Sequence, residues 1–144
     1  MRKGRPSGAA LRVAVRRAAH QVLDAPRVRV DPLALAIIGS EEAERASVAW
    51  KRSGTQASRS LRAFIVVRGL HAEDELAQAI EWGVSQYVVL GARLDTFAYS
   101  NPYANLQVFE VDHPATQAWK RHRLEEAGIV IPSSLAFAPV DFEK

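Results

Sequence analysis

The stretch QYVVLGARLDTFAY, residues 86–99, decides how the rest of the chain is read. "YVVLG" (87–91) is a short unbroken apolar run rich in β-branched residues, the pattern of a strand covered on both faces. It ends in Gly91, which permits a tight turn and a close approach to the backbone. Working outward, "LQVFEVD" (106–112) and "LAFAPVDF" (135–142) are two further runs of this kind, each finishing at an acid. Between those two, "PATQAWKRHRLEEAGI" (114–129) is a helix, with Pro114 in its first turn and Gly128 at its end. Strand, connection, strand, helix, strand is the alternation of a parallel α/β sheet.

Upstream the pattern is helical. Ala9 to about Leu23 carries no glycine or proline, and Asp24-Ala25-Pro26 interrupts it. Asp31-Pro32 marks a second boundary, because the residue before a proline is pushed out of the α region. "PLALAII" starts a helix that ends near Gly39, and "EEAERASVAW" continues as another. The polar, serine-rich residues 51–60 read as a loop. Leu76, Ala79, Ile80 and Gly83 follow at i, i+3, i+4, i+7, an amphipathic helix stopped by the glycine. Three regions are expected: a disordered basic tail (1–8), a helical region (9–83) and a sheet region (84–144).

Composition narrows the function. The chain has 144 residues, 48% apolar and 24% charged, with a net charge of +3, and falls in the globular class. Eight of the basic residues (Arg2, Lys3, Arg5, Arg12, Arg16, Arg17, Arg27, Arg29) precede residue 30, against the single acid Asp24. No aromatics are interleaved with them for base stacking, so they read as a solvated helix face and a frayed terminus, with no nucleic-acid partner. Without cysteine there are no disulfides, thiolate metal sites or cysteine nucleophiles. No apolar run approaches the ~20 residues that span a bilayer, and the N-terminus lacks the apolar segment of a signal peptide. A cytoplasmic protein with no membrane partner is expected. His20, His71, His113 and His122 show no ligand spacing and read as surface or supporting residues; no metal is expected. Trp50, Trp82 and Trp119 read as helix packing residues, and Lys120 and Arg121 as a solvated helix face.

In parallel sheets, ligands bind outside the carboxyl ends of the strands. Here those ends carry Gly91, Asp112 and Asp141. An acid 21 residues after the glycine suits the two hydroxyls of a ribose. Asp141-Phe142 offers an acceptor for an adenine amino group and an aromatic face beside the ring. The turn has one glycine and an acid, Asp95, in place of a glycine-rich pyrophosphate cradle. Asp95 repels phosphate but accepts a hydrogen bond from an ammonium, which favours S-adenosylmethionine among adenosine cofactors; Asp95 and Thr96 also suit a helix cap.

"VVLGARLDTFAY" followed by "VFEVDHPATQAWK" resembles the leucine carboxyl methyltransferase-like family of class I S-adenosylmethionine-dependent methyltransferases. The match rests on Leu90, Gly91, Ala92, Asp95 and Thr96, then Phe109, Glu110, Val111, Asp112 and Pro114, and Lys120. "FIVVRGLHAEDEL" resembles the family's arginine segment and "VDPLA" its Asp-Pro, so the likeness covers roughly residues 16 to 142. It implies a Rossmann-like sheet, here incomplete (first three strands) and preceded by N-terminal helices. It also implies that Arg68 binds the methionine carboxylate, Gly91 lines the methionine portion, Asp112 holds the ribose, and Asp141 and Phe142 flank the adenine. The implied activity is methyl transfer to an oxygen, of carboxyl type, on an unidentified acceptor, by positioning in a dry site and without a catalytic triad.

Two departures accompany the likeness. Arg93 stands where the family has a second glycine: either its side chain intrudes on the cofactor, or the backbone there needs φ > 0 and a residue with Cβ is strained. The family's seven-stranded sheet also extends beyond what precedes Lys144. The chain is therefore expected to be a fragment, a truncated reading frame or a piece that needs a partner, with an exposed sheet edge open to self-association. Two alternatives stand beside the active cofactor-binding half: an inactive cofactor-binding remnant, and a small dinucleotide-binding α/β protein, which the glycine-poor turn argues against.

Overall fold

The computed structural model describes residues 8–52 and 54–143. The tail bearing Arg2, Lys3 and Arg5, the side chain of Trp50 and Lys144 lie outside the described residues. Gly8, expected in a disordered tail, is the first residue of helix α1.

The first part of the chain is four helices: α1 (Gly8–Leu23), α2 (Ala34–Ile38), α3 (Ser40–Arg52) and α4 (Gln56–Glu81). In α1 the residues Ala10, Ala14, Arg17 and Ala18 are buried, a stripe at i, i+4, i+7, i+8. The expected loop at 51–60 is mostly helix: α3 runs to Arg52, and Thr55 caps α4 by accepting a hydrogen bond from Ser58 N at 3.3 Å. Ser60 is exposed on the first turns of α4, while Ser58 is half-buried and its Oγ accepts from Arg62 Nη1 at 3.2 Å. Helix α4 closes with Gly83 at φ 91°, as the sequence predicts. Trp82 corrects an expectation, since it is 82% exposed at the end of α4 and packs on nothing in the core.

Three strands follow, β1 (Gln86–Leu90), β2 (Gln107–Asp112) and β3 (Leu135–Pro139), with a 3₁₀ turn (Phe97–Tyr99) after β1 and helix α5 (Pro114–Glu126) between β2 and β3. The sheet is parallel in the order β1-β2-β3. The fold is thus mixed α/β, helices first and then a partial Rossmann-like sheet. The register sets Leu90 opposite Val111 and Asp112 opposite Pro139, so the carboxyl ends of all three strands lie together.

One sheet face carries Tyr87 and Val89, Val108 and Glu110, and Leu135 and Phe137. Val108 and Leu135 are buried there with Leu76 of α4 and with Phe97, Ala98 and Leu106. A second cluster joins Ala14, Ala18, Ala34, Ile37 and Ile38 of the N-terminal helices to Leu94 and to Leu124 of α5. Burying a leucine contributes about 1.5–3 kcal/mol, so Leu94 ties the turn after β1 to the helices. On the opposite face Val88 and Leu90 are 52% and 70% exposed. Strand β1 is therefore covered on one face among the described residues, where the apolar run predicts two.

Candidate functional site at the strand ends

The turn after β1 begins at Gly91, φ 64°, whose N–H donates to Val111 O at 2.7 Å. A Cβ added there meets nothing within 4 Å, so the need for glycine is conformational rather than steric. Arg93 has φ 48°, the only left-handed non-glycine residue among those described. That conformation costs roughly 1–2 kcal/mol for a residue with Cβ, as expected from its place in the turn. Its backbone N–H donates to Asp112 Oδ2 at 2.6 Å, while His113 N donates to Asp112 Oδ1 at 2.7 Å. Asp112 is thus a buried carboxylate with an amide on each oxygen, at the end of the central strand.

A cavity of about 520 Å³ opens between α1, α4 and this turn, and its lining includes Arg68, Gly91, Arg93 and Asp95. Arg68 is exposed, with its guanidinium 5.6 Å from the Phe64 ring centroid. Asp95 accepts from Phe97 N at 2.9 Å through Oδ1, a capping-type bond at the start of a 3₁₀ turn where the sequence suggests a helix. Thr96, at the N-cap itself, makes no side-chain cap bond, and its hydroxyl goes to Asp31. Asp95 Oδ2 lies 3.6 Å from Arg17 Nη1. Asp112 touches the same turn. Asp141 and Phe142 stand apart at the end of β3: Asp141 Oδ2 is 3.9 Å from His113 Nε2, and Phe142 is 64% exposed.

Two arginines and a lysine depart from the expectation of a solvated basic face, which Arg12 and Arg27 keep. Arg17 is 8% exposed and reaches Leu94 O and Thr96, and Arg29 pairs with both Asp31 and Glu73. Lys120 is 1% exposed, its Nζ donating to Glu110 at 2.7 and 2.6 Å and lying 5.0 Å from the Tyr99 ring centroid. Burial pushes Glu110 up and Lys120 down, each toward its neutral form, and their mutual attraction opposes this. Burial, then the Glu110 charge, pushes the Tyr99 phenol far up. The signal for Lys120 was present in its spacing, since it shares a stripe with Thr116, Gln117 and Leu124. Its neighbour Arg121 is exposed, as expected, 4.7 Å from the Phe137 ring centroid. His20 is buried against Asp24 at 3.0 Å, not a surface residue. Among the described residues no three His, Cys, Asp or Glu side chains converge as a metal site would require, and no helix is long and apolar enough to cross a membrane.

Parallel strand ends, a left-handed glycine turn and a buried acid on the next strand define a partial Rossmann-like α/β fold, the class in which ligands bind outside the carboxyl ends of the strands. The leucine carboxyl methyltransferase family model matches residues 10–144. A Bacillus subtilis (strain 168) protein, YktD, is 47% identical over 81 residues, 55% of this chain and 27% of its own length. A Mycolicibacterium gilvum protein is 33% identical over 87 residues, 60% of this chain and 35% of its own. One from Mycobacterium ulcerans is 29% identical over 144 residues, 92% of this chain and 46% of its own. All three are named as candidate S-adenosyl-L-methionine-dependent methyltransferases. The chain belongs to the leucine carboxyl methyltransferase family, and it spans less than half the length of these relatives.

Proposed function

We propose that the chain forms the cofactor-binding half of an S-adenosylmethionine-dependent methyltransferase acting on an acceptor oxygen, of carboxylate type. The observation that carries this reading is the cavity in which Arg68, Gly91 and Asp95 meet. An exposed guanidinium and a partly exposed carboxylate lining one cavity match the carboxylate and ammonium of an amino-acid end group. The same acid repels a pyrophosphate, which disfavours the dinucleotide alternative.

Arg68 would pair with the methionine carboxylate through charge-assisted hydrogen bonds. Asp95 would accept from the ammonium and Gly91 would border the methionine chain. Asp112 would receive the ribose hydroxyls on lone pairs its two amide donors leave open, with Asp141 and Phe142 at the adenine. When bound, S-adenosylmethionine would supply a sulfonium methyl for the acceptor oxygen, with a thioether as the leaving group. The protein's part is orientation and exclusion of water.

One observation supports a second reading, an inactive remnant: Arg93 lines the same cavity as Gly91. Association of copies through β1, which pairs only with β2 among the described residues, belongs to either reading. Isothermal titration with S-adenosylhomocysteine tests the cofactor assignment. Binding that weakens about tenfold or more in Arg68→Met, the loss expected for a charge-assisted contact, supports it. Binding of NAD in preference, or no binding of S-adenosylhomocysteine by folded protein, overturns it. Methyl transfer to a carboxylate acceptor by the bound chain excludes the remnant.

A further inference from the structure

Arg17 is a buried residue that the cofactor reading leaves without a task, and it reaches the turn that lines the cavity. Its Nη2 donates to Leu94 O at 2.8 Å and to Thr96 Oγ1 at 3.3 Å, and its Nη1 faces Asp95 Oδ2 at 3.6 Å. A single guanidinium on α1 thus touches three successive residues of the turn after β1. Asp31 completes the arrangement: its Oδ2 accepts from Thr96 Oγ1 at 2.7 Å and lies 3.3 Å from Arg17 Nε and 3.5 Å from Arg29 Nη1. Arg29 continues to Glu73 of α4, its Nε donating to Oε2 at 3.2 Å. Gln21 binds the segment back to α1, donating to Arg29 O and accepting from Asp31 N, both at 3.1 Å.

The turn so held contains the strained residue. A left-handed non-glycine residue persists only where its surroundings over-determine it. Arg93 is fixed on its amide side by Asp112 and, one residue on, by the grip of Arg17 on the Leu94 carbonyl. Arg68 of α4 and Asp95 of the turn line the same cavity, so the shape of the turn sets where Asp95 stands in it.

We infer that Arg17, supported by Asp31 and Thr96, is a positioning residue that holds the Gly91–Asp95 turn in its cofactor-receiving conformation against the strain at Arg93. This rests on the cofactor reading for its consequence but not for its mechanics. A residue that merely fills space destabilises equally whatever stands at position 93. A latch against strain matters less once the strain is gone.

Arg17→Met in the full chain is expected to speed amide exchange at Arg93 and Asp95, whose N–H groups are bonded to Asp112 Oδ2 and Ala92 O. It should also weaken S-adenosylhomocysteine binding about tenfold, the scale of one charge-assisted hydrogen bond. In the Arg93→Gly background the same substitution should cost less than about twofold. An equal loss in both backgrounds makes Arg17 an ordinary structural residue and overturns the inference. Should Arg17→Met fail to fold, Thr96→Val cuts the link to Asp31 with the arginine kept, and the same non-additivity is required of it. If the unaltered chain binds no S-adenosylhomocysteine, the cofactor reading fails alone. Exchange at Arg93 and Asp95 then decides, and rates unchanged by the substitution overturn the latch.

Discussion

Lys120→Met should be among the most damaging single substitutions in the chain, and the reason can be worked through from the site. The ammonium makes two short hydrogen bonds to Glu110, and the two side chains are 1% and 2% exposed. Methionine keeps most of the volume, so the loss is electrostatic. It leaves Glu110 with one side-chain donor in the described residues, Tyr99 Oη at 3.4 Å. Stranding one member of a buried pair costs about 3–5 kcal/mol. At 2–4 °C per kcal/mol for a chain of this size, that is a fall in Tm of roughly 6–20 °C. The acid has an escape, which is to take up a proton. Its folded pKa is already raised by burial above the ordinary 4.5, and losing Lys120 raises it further. A raised carboxyl favours the fold below its unfolded pKa, and that advantage is lost as pH rises through the folded value. The variant should therefore lose least at and below pH ~4.5, the unfolded value, and progressively more as pH rises through the raised folded value. Glu110→Leu combined with Lys120→Met should recover most of the loss, because an apolar replacement of the whole pair is often neutral. Thermal and guanidinium denaturation followed by circular dichroism measure all three proteins. A loss in Lys120→Met under about 1 kcal/mol, or a double variant as unstable as the single, would refute the buried-pair reasoning.

Three further outcomes are expected. Asp24→Asn should remove about 1–3 kcal/mol of stability at neutral pH, because Arg62 donates to both Asp24 oxygens at 3.1 and 2.8 Å. The Arg62 hydrogen bond holds Asp24 below its ordinary 3.8, so this contribution is present above that pH and fades as pH falls through the lower folded value. Acid titration monitored by circular dichroism should accordingly show the variant and the parent converging. Arg93→Gly should raise stability by about 0.5–1 kcal/mol, the relief of a left-handed residue less the added freedom of glycine in the unfolded chain; urea denaturation that shows a loss contradicts the strain. Gly91→Ala should cost about 1 kcal/mol in the same assay through its φ of 64° alone, since the added methyl meets no atom within 4 Å.

The sheet was legible because it is written locally. Apolar runs at 87–91, 106–112 and 135–142 and the Pro114 start fall within two or three residues of the observed elements. Strand-end acids and the glycine turn could be located from the same runs, and with them Gly91, Asp95 and Asp112. What could not be read locally was the inward turn of charged residues. Arg17 meets Leu94 O at a separation of 77 residues, and Thr96 meets Asp31 at 65, so neither partner lies within reach of a local pattern; Arg12 and Arg16, off the stripe, are not buried. The stripe Ala10-Ala14-Arg17-Ala18 does contain the hint, since an arginine on an alanine face is either solvated at its tip or bound inside. The serine-rich segment at 51–60 misled for the opposite reason. Polarity marks exposure, and exposed helix turns share it with loops.

Asp112 has a consequence for how this site can be probed. The carboxylate proposed to receive the ribose is also a bond acceptor for the Arg93 amide, at 2.6 Å, so ligand capture and backbone shape are vested in a single side chain. Every replacement at position 112 alters both at once, and a weakened variant says little about either. The two can be separated from the ligand's side: deoxy analogues of S-adenosylhomocysteine remove one hydroxyl at a time while the turn, its amide and its acid stay untouched.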